Sequence, residues 1–500
     1  MIKSSKSKFN LLSYSHDRMA NYKITADEIF NHINKFTNQE ELDDIYYYFE
    51  SKYNLPKDVI KQTLRQFIAR SYILKKNKFN SNLNLINIPK SIIGYGALIY
   101  ALFFIKIKKK IKNYKLIIDN ITSSLELNRF EKLLNLVGDD KVFCVIKDSS
   151  IKKNFPKYQF YNRRSFRNIN IFDLLKTIFK EFFIGIWIIL KTSIKTRVNL
   201  FPVSLRVVHN YLYFKSFLES NKADFIIQGK HYDTEPIKNH LFKRYGGIAS
   251  TSIQKNIIQL DPFFFYLDLD ILFSLGNDGC NRLYKYGGRI GNILPVGSLF
   301  MEYQWFSKKI IFKKKFDIAV LGINTSSAYN RLDSYDKFMD DYYCLYNWIT
   351  KLSNENPQYN IVLIHHASSR DDKIQDKILS GSNVKVLDKN MNSYEVAFSS
   401  KLSITYGSTM GYELNAHNLP TFFIDPGKRC TFLPDEGSHY IDRMRIHSYE
   451  TLNTIVKQII NKETYHNKGI EKLDKLCLES SEVSNTIYDY IRKKANDRKN

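Results

Sequence analysis

The chain has 500 residues, 44% of them hydrophobic, so it is long enough for more than one packed core and wholesale disorder is excluded. Lys and Arg total 75 against 50 Asp and Glu, an excess of 25 positive charges that favours an anionic partner: nucleic acid, an anionic membrane surface or a phosphorylated substrate. The five cysteines are scattered without Cys-x-x-Cys spacing, and the first residues lack the apolar run of a secretion signal. A reduced, cytoplasmic setting is therefore predicted, without a disulfide framework or a cysteine zinc site.

Residues 1–80 predict a helical appendage. Thr25 and Glu28 have the spacing of a capping box, helical apolar spacing follows, and Pro56 is placed to open the last helix. Three short helices with a basic third one resemble a winged-helix module. A docking or regulatory domain is the main expectation, and DNA binding through the third helix is the alternative.

Residues 81–114 form an apolar and basic segment. Its apolar run, Ile92 to Ile105, and a second run, Phe182 to Leu190, are both shorter than the roughly 20 residues that span a bilayer. Lysines and aromatic residues flank both runs, which favours contact with the headgroup layer. Burial in the protein core is the alternative. The prediction is a cytoplasmic protein held peripherally at the inner face of the cell membrane.

From Lys115 onward strands and helices alternate, as in parallel α/β folds. We predict an α/β protein with two tandem Rossmann-like domains: an N-terminal acceptor domain over 115–300 and a C-terminal donor domain over 316–460, with a helix over 461–500. Neither domain has a G-x-G-x-x-G fingerprint after its first strand, which argues against a dehydrogenase.

Polar side chains cluster where strands of the second domain end, at the edge where open α/β sheets bind ligands. A Gly-Ser-Thr turn before a helix attracts phosphate, and Glu413, one turn further on, is placed to accept hydrogen bonds from a ribose. The alternatives are a capped connection without a ligand, and histidines that belong to the core or the surface. Adjacent histidines point apart on a strand, so no metal site is predicted. The predicted donor-binding residues are Gly322, Asn324, His365, His366, Arg370, Gly407, Ser408, Thr409 and Glu413.

A second cluster, Gln228 to Asn239, follows a strand of the first domain. Transfer of a sugar to a hydroxyl needs a general base, and His231, Asp233 and Glu235 are the predicted catalytic candidates. Helix N-capping before Pro236 is the alternative for the two acids. Three more residues are predicted to line the acceptor side of the same cleft: Lys230, Gln254 and Lys255.

The segment from Asp270 to Ser298, then IVLIHH, then Ser393 to Pro426, resembles GT-B-type bacterial glycosyltransferases of surface carbohydrate and capsule biosynthesis, with polyol-phosphate transferases as relatives. The resemblance implies that His366, Ser408, Thr409 and Glu413 hold a donor nucleotide. It departs from the family pattern at Lys255 and Asn256, where relatives have His-Gly, and at Ala367, where they have Pro.

The predicted function is therefore transfer of a sugar from a nucleotide-activated donor to a surface-polysaccharide or glycolipid acceptor, with the nucleotide-sugar as co-substrate and no cofactor. The predicted partners are that donor, a lipid-linked or polysaccharide acceptor and an anionic membrane surface, whereas nucleic acid is not expected. Two alternatives stay open: a glycerol- or ribitol-phosphate transferase that uses a CDP-polyol, and a non-enzymatic nucleic-acid-binding protein.

Overall fold

The computed structural model describes residues 26–73, 85–93, 112–162, 184–258, 265–305, 313–323, 335–366, 373–388, 391–428, 444–461 and 476–498. Several predicted features lie outside these ranges: Thr25, Asn324, Arg370, the side chain of Asp233, and most of the apolar run that begins at Ile92.

The appendage consists of helices α1 (Ala26–Thr37), α2 (Asp43–Tyr53) and α3 (Lys57–Ile73). Helix α3 packs against the first domain through buried polar contacts. The side-chain amide of Gln62 donates to the carbonyl oxygens of Leu267 and Gly287 at 2.9 Å each, and that of Gln66 donates to the carbonyl oxygen of Tyr266 at 2.7 Å. The third helix is thus engaged with the domain surface and is not presented as a recognition helix would be.

The first domain contains a seven-stranded parallel sheet in the order β3-β2-β1-β4-β5-β6-β7. Its strands are β1 (Lys112–Ile121), β2 (Val142–Ile146), β3 (Gln159–Asn162), β4 (Asn221–Gln228), β5 (Ala249–Ile253), β6 (Asp268–Ser274) and β7 (Arg289–Pro295). Its helices are α4 (Ser124–Asn128), α5 (Glu131–Val137), α6 (Ile151–Asn154), α7 (Ile186–Thr196), α8 (Phe201–Ser220), α9 (Pro236–Arg244) and α10 (Asn281–Lys285).

The second domain contains a six-stranded parallel sheet in the order β10-β9-β8-β11-β12-β13. Its strands are β8 (Phe316–Leu321), β9 (Ile361–Ile364), β10 (Lys385–Val386), β11 (Ser400–Thr405), β12 (Thr421–Ile424) and β13 (Arg445–Ile446). The remaining helices are α11 (Leu299–Trp305), α12 (Tyr335–Glu355), α13 (Lys373–Leu379), α14 (Ser393–Phe398), α15 (Thr409–Ala416), α16 (Tyr449–Ile460) and α17 (Val483–Asp497).

Both sheets have the same winding. In each one the chain runs outward over three strands, returns to the middle and then runs outward in the other direction, as in a Rossmann fold. Apolar clusters cover both faces of each sheet, which explains the nearly continuous apolar sequence of strands such as VFCVI and IVLI. The predicted α/β class, with two Rossmann-like domains and a helical appendage, is confirmed.

The segment between the domains forms hydrogen bonds with residues 480–484, at the start of α17. Gly297 has a φ of 92°, and a β-carbon there would lie 2.9 Å from the hydroxyl of Ser480. The next amide, of Ser298, donates to that hydroxyl at 2.9 Å, and the buried carboxylate of Glu302 in α11 accepts from the Ser484 amide at 3.1 Å. Helix α17 then packs its apolar side into the first domain.

The structure adds elements to those that the sequence pattern predicts. Strands β3 and β13 and helices α6 and α13 are additional, and the segment 125–137, whose apolar pattern predicts one helix, contains two, α4 and α5. The connector after β7 begins with helix α11. Among the described helices there is none with both the length and the apolarity required to cross a membrane.

Candidate functional site

A cleft of about 550 Å³ lies between the two sheets and is lined by both domains and by the connector α11. The strand order reverses at β1/β4 in the first sheet and at β8/β11 in the second, and the cleft meets the carboxyl ends of these strands, where open α/β sheets bind ligands. The architecture is GT-B-like. The predicted residues that line the cleft are Gly322, His365, His366, Ser408, Thr409, Glu413, Gln254 and Lys255.

Gly322 lets two loops of the second domain approach each other. A β-carbon at this position would lie 2.7 Å from the carbonyl oxygen of Ile364 and 2.9 Å from the amide nitrogen of His366. Both neighbours are backbone atoms, so a side chain would force the ends of β8 and β9 apart. Glycine is therefore required for the close spacing that brings His366 to the cleft.

Helix α15 begins at the cleft. Ser408 is its N-cap, and its hydroxyl accepts from the Met410 amide at 3.3 Å. A β-carbon at Gly411 would lie 2.7 Å from the ring of Phe423, so the helix sits tightly on β12. The Thr409 hydroxyl accepts from the amide of Ile257 at 3.2 Å and so joins the two domains. The positive end of the helix dipole thus faces the cleft, as an anion site requires. Gly407, one residue before the cap, is partly buried and is not part of the lining.

Glu413 lies one turn further along α15, where its side chain is 3% exposed. Its carboxylate accepts hydrogen bonds from the hydroxyls of Ser298 in the connector and Tyr394 in α14. Burial raises the pKa of Glu413, while these two bonds and the charge of Arg129 oppose that rise. Glu413 therefore joins three parts of the molecule at the base of the cleft in addition to lining it.

The paired histidines differ in how far the protein covers them. The His365 ring is nearly buried and is held on both sides, by Gln375 at 3.0 Å and by Asp376 at 3.1 Å. His366 is more exposed, and desolvation by the surrounding protein lowers its pKa, so the imidazole is neutral at pH 7. His366 is thus the more exposed histidine of the cleft lining, and His365 positions the loop.

The first-domain wall consists of α4 with the turn after it, Gly229, and the loop after β5. The side-chain amide of Gln254 accepts from the Leu275 amide at 3.0 Å and donates to the Asn256 carbonyl at 3.0 Å, so this residue shapes the loop. Lys255 follows and lines the cleft. Its own amide donates to Nδ1 of His231 at 3.2 Å.

Two of the predicted base candidates are placed behind this wall and are not part of the lining. His231 is fully buried, and burial together with the charge of Lys255 lowers its pKa to about 3. Glu235 is the residue before α9, and its carboxylate binds Arg206 at 2.9 Å and Asn210 at 3.0 Å. Its side chain makes no capping hydrogen bond to the helix, so the alternative role of N-capping is not observed for it, and its use as a base stays a prediction that this geometry does not favour.

Lys230, in the same loop, binds the carboxylate of Glu126 at 2.9 Å. Glu126 lies in α4 and lines the cleft. Burial opposes its ionisation, but hydrogen bonds from Thr122 and Lys230 prevail and lower its pKa. Lys230 thus reaches the site through Glu126, a carboxylate that the strand-end rule could not locate because it belongs to a helix.

Arg129 is the second cleft residue that sequence reasoning missed. Its guanidinium carbon lies 3.7 Å from the ring centroid of Phe300, and its buried Nε has no hydrogen-bond partner among the described residues. Burial lowers its pKa, yet an arginine keeps its charge at neutral pH. A buried cation with an unused donor is suited to an anionic ligand. Other missed lining residues are Ser298, Gln304 and Tyr394.

Comparisons with known proteins give fold-level likenesses only. No family model and no curated protein matches the sequence. Among solved structures, the chain is similar to the UDP-GlcNAc 2-epimerase of Neisseria meningitidis bound to UDP-GlcNAc (11% identity, 76% of this chain and 100% of that one, TM-score 0.47) and to S. aureus MnaA with UDP (10%, 76% and 97%, 0.46). It is also similar to a variant of the wall teichoic acid polymerase TagF (12%, 83% and 100%, 0.47). The fold assignment rests on the two sheets themselves.

Proposed function

We propose that the protein is a glycosyltransferase that takes a sugar from a nucleotide-activated donor. The observation that carries this proposal is the cleft itself, in which the start of α15 and His366 lie in one wall and Arg129 and Lys255 in the other. Four groups that attract or donate to anions thus converge on a space of about 550 Å³, within the size range of small-molecule sites.

The chemistry follows from where charge develops. As the bond from the sugar to the leaving phosphate breaks, negative charge grows on the phosphate oxygens, and fixed donors around them stabilise the transition state. The dipole of α15, the Ser408 hydroxyl and His366 would supply these donors from the second domain. Arg129 would add a full positive charge from the first domain without a metal ion. The described residues contain no cluster of His, Cys, Asp or Glu with the arrangement of a metal site.

The acceptor hydroxyl must lose a proton as it attacks the sugar, so a base on the first-domain side is needed. Asp233 remains the predicted candidate from the loop at 231–235, because His231 and Glu235 are buried and do not line the cleft. Glu126 joins it, since it is a described carboxylate of that wall that lines the cleft. We propose that one of these two acids takes the proton.

We also propose that the acceptor is a lipid-linked or polysaccharide chain at the cytoplasmic face of a membrane. The excess of 25 positive charges supports this part of the proposal, because an anionic bilayer attracts a basic protein.

A thermal-shift screen with UDP, GDP, CDP, CMP and dTDP tests the donor site, because a ligand that binds only the folded state raises its melting temperature. The expected result is a rise with one or two of these nucleotides that is lost in His366→Ala. No rise with any of them would contradict the proposal. Identification of the nucleotide released during turnover then separates the chemistries: a diphosphate indicates sugar transfer, whereas CMP from a CDP-polyol donor indicates polyol-phosphate transfer.

A further inference from the structure

Large apolar side chains are exposed on one part of the first domain and its appendage. Trp187 and Ile194 of α7 are 66% and 60% exposed, and Tyr47 of α2 is 72% exposed. Ile184, just before α7, is also exposed. We call these four residues, together with Lys191 and Lys195, the Trp187 surface. None of them serves the cleft, so the proposed chemistry does not explain their exposure.

Helix α7 has two distinct sides. Ile189, Thr192 and Ser193 are buried against the core, whereas Trp187, Lys191 and Ile194 are exposed. The exposed residues have i, i+4, i+7 spacing and therefore lie on one face of the helix. An apolar stripe is normally the buried side of a helix, yet here a second one faces outward.

Ion pairs fix α2 beside this outward face. Lys191 and Lys195 bind the same carboxylate, Asp44, at 3.3 and 3.2 Å. Tyr47 lies three residues after Asp44 in α2, hence on the same side of that helix. The exposed apolar side chains of two helices are thus held next to each other, with lysines among them.

Residues 85–93 extend the same region. The side-chain amide of Asn199, which follows α7, donates to the hydroxyl of Ser91 at 2.9 Å. Ile86 and Ile93 are 80% and 73% exposed, and Lys90 is exposed as well. Lys90, Lys191 and Lys195 are thus exposed in this region, and the acids exposed beside α7 are Asp43 and Asp44 of α2 with Glu40 and Glu41 just before it.

The sequence that continues from this region has the same character. Residues 94–111 follow Ile93 directly and combine the run ALIYALFFI with four lysines and no acid. Residues 163–183 precede Ile184 and contain five basic and two acidic residues among many apolar ones. Aromatic and aliphatic side chains interleaved with lysines are the composition that binds at the headgroup layer of an anionic bilayer.

We infer that the Trp187 surface docks on an anionic lipid bilayer, with the outward face of α7 lying along the headgroups. This contact would hold the cleft close to a lipid-linked acceptor. Only the benefit for an acceptor rests on the proposed function. Docking itself requires no turnover and is measured without a donor.

Co-sedimentation with vesicles tests the inference. The full chain should bind vesicles of phosphatidylcholine with 30% phosphatidylglycerol much better than pure phosphatidylcholine, and the binding should weaken with salt. Trp187→Ala/Ile194→Ala should lower the partition coefficient about 100-fold, since each large apolar side chain contributes about a factor of ten. The matched control is Tyr284→Ala/Tyr343→Ala, at residues 44% and 43% exposed on α10 and α12, and it should bind like the wild type.

Fluorescence distinguishes insertion from simple attraction. Trp187 is largely exposed, whereas Trp348 packs against the core of the second domain. Lipids brominated on the acyl chain should quench the wild type on binding, and Trp187→Phe, which preserves most of the apolar surface, should bind without that quenching. Failure to bind anionic vesicles, equal binding by the Ala variant, or equal quenching in Trp187→Phe would overturn the inference. A dimer in solution that dissociates in the Ala variant would also overturn it, in favour of a second copy as the occupant.

Discussion

The two sheets wind in the same way, but the polar residues at their strand ends have different fates. In the second domain, Gly322, His366 and Ser408 follow three neighbouring strands and all line the cleft. In the first domain, His231 and Glu235 follow β4 and are directed into the protein, where an amide and an arginine bind them. Position at a strand end therefore indicates where a ligand could bind, whereas the partners of a side chain decide whether it is available.

The largest effect is expected at Glu413, where structure and ligand binding meet. Glu413→Ala leaves the buried hydroxyls of Ser298 and Tyr394 without their acceptor, which costs about 2–4 kcal/mol of unfolding free energy. Turnover should fall at least about 100-fold, since the base of the cleft loses its shape and a predicted ribose contact. Urea unfolding and a transfer assay measure the two effects. Unchanged stability and turnover would remove Glu413 from both roles.

Two arginines of the first domain, one in the cleft lining and one behind it, separate ligand binding from structural support. Arg129→Ala removes a cation that has no described hydrogen-bond partner at Nε, so transfer should fall about 100-fold while stability stays within about 1 kcal/mol. Arg206→Ala instead removes the arginine that binds the buried carboxylate of Glu235 and should cost about 1–3 kcal/mol of stability.

The Arg206 variant should keep most of the transfer activity, because Arg206 is not part of the cleft lining. Measurement of stability and turnover on both variants provides the test. The reverse pattern, with activity lost at Arg206 and retained at Arg129, would show that the first-domain loop and not the cleft wall carries the chemistry.

Two glycines of the second domain test whether the close spacing of the loops after β8 and β9 matters for donor binding. Gly322→Ala should cost about 1–3 kcal/mol and raise the KM for the donor, because the new β-carbon meets the backbone of Ile364 and His366. Gly381→Ala is the matched control, since a β-carbon there meets no atom within 4 Å and should change neither quantity. Equal behaviour of the two variants would mean that the ends of β8 and β9 can separate freely.

The last effect concerns pH and the buried His231. Burial holds the folded-state pKa near 3, below the ordinary value of 6.5, so the unfolded chain binds a proton more readily. The resulting stability is fully present above pH 6.5 and is lost as the pH falls toward 3, at about 1.4 kcal/mol per pH unit.

His231→Asn can still accept from the Lys255 amide but cannot take up a proton in this range. Urea unfolding at pH 7.5, 6.0 and 5.0 should therefore show the wild type losing stability relative to this variant as the pH falls. Parallel curves would indicate that His231 is solvated, and it would regain its standing as a candidate base.

The sequence predicted the fold well because each signal was local. Buried strands such as β9 and β12 are continuous apolar runs, and Ser408 caps α15 as the Gly-Ser-Thr turn indicates. Strands β3 and β13 were missed because their sequences, QFYN and RI, are not apolar runs. The exposed face of α7 was also beyond the sequence pattern, which shows apolar residues without showing which of them the core covers.

The candidate site was predicted only in part, for a different reason. The second-domain wall consists of strand ends and of the helix that follows β11, and sequence order reveals both. The sequence therefore placed Gly322, His366, Ser408 and Glu413 at the cleft. Arg129 and Glu126 belong to α4 and the turn after it, and they reach the cleft only through the packing of that helix over the sheet. The fates of His231 and Glu235 depend on partners up to about 30 residues away in sequence, Lys255 and Arg206, which no local pattern contains.

Titration calorimetry of the best nucleotide from the thermal-shift screen measures whether the second-domain wall binds the charged part of a donor. Wild type and His366→Ala are compared, with His417→Ala as the control, because His417 is a largely buried histidine outside the cleft. We expect one site per chain, with Kd raised about tenfold or more in His366→Ala and unchanged in the control. Equal affinity in all three proteins, or no binding to any of them, would contradict it.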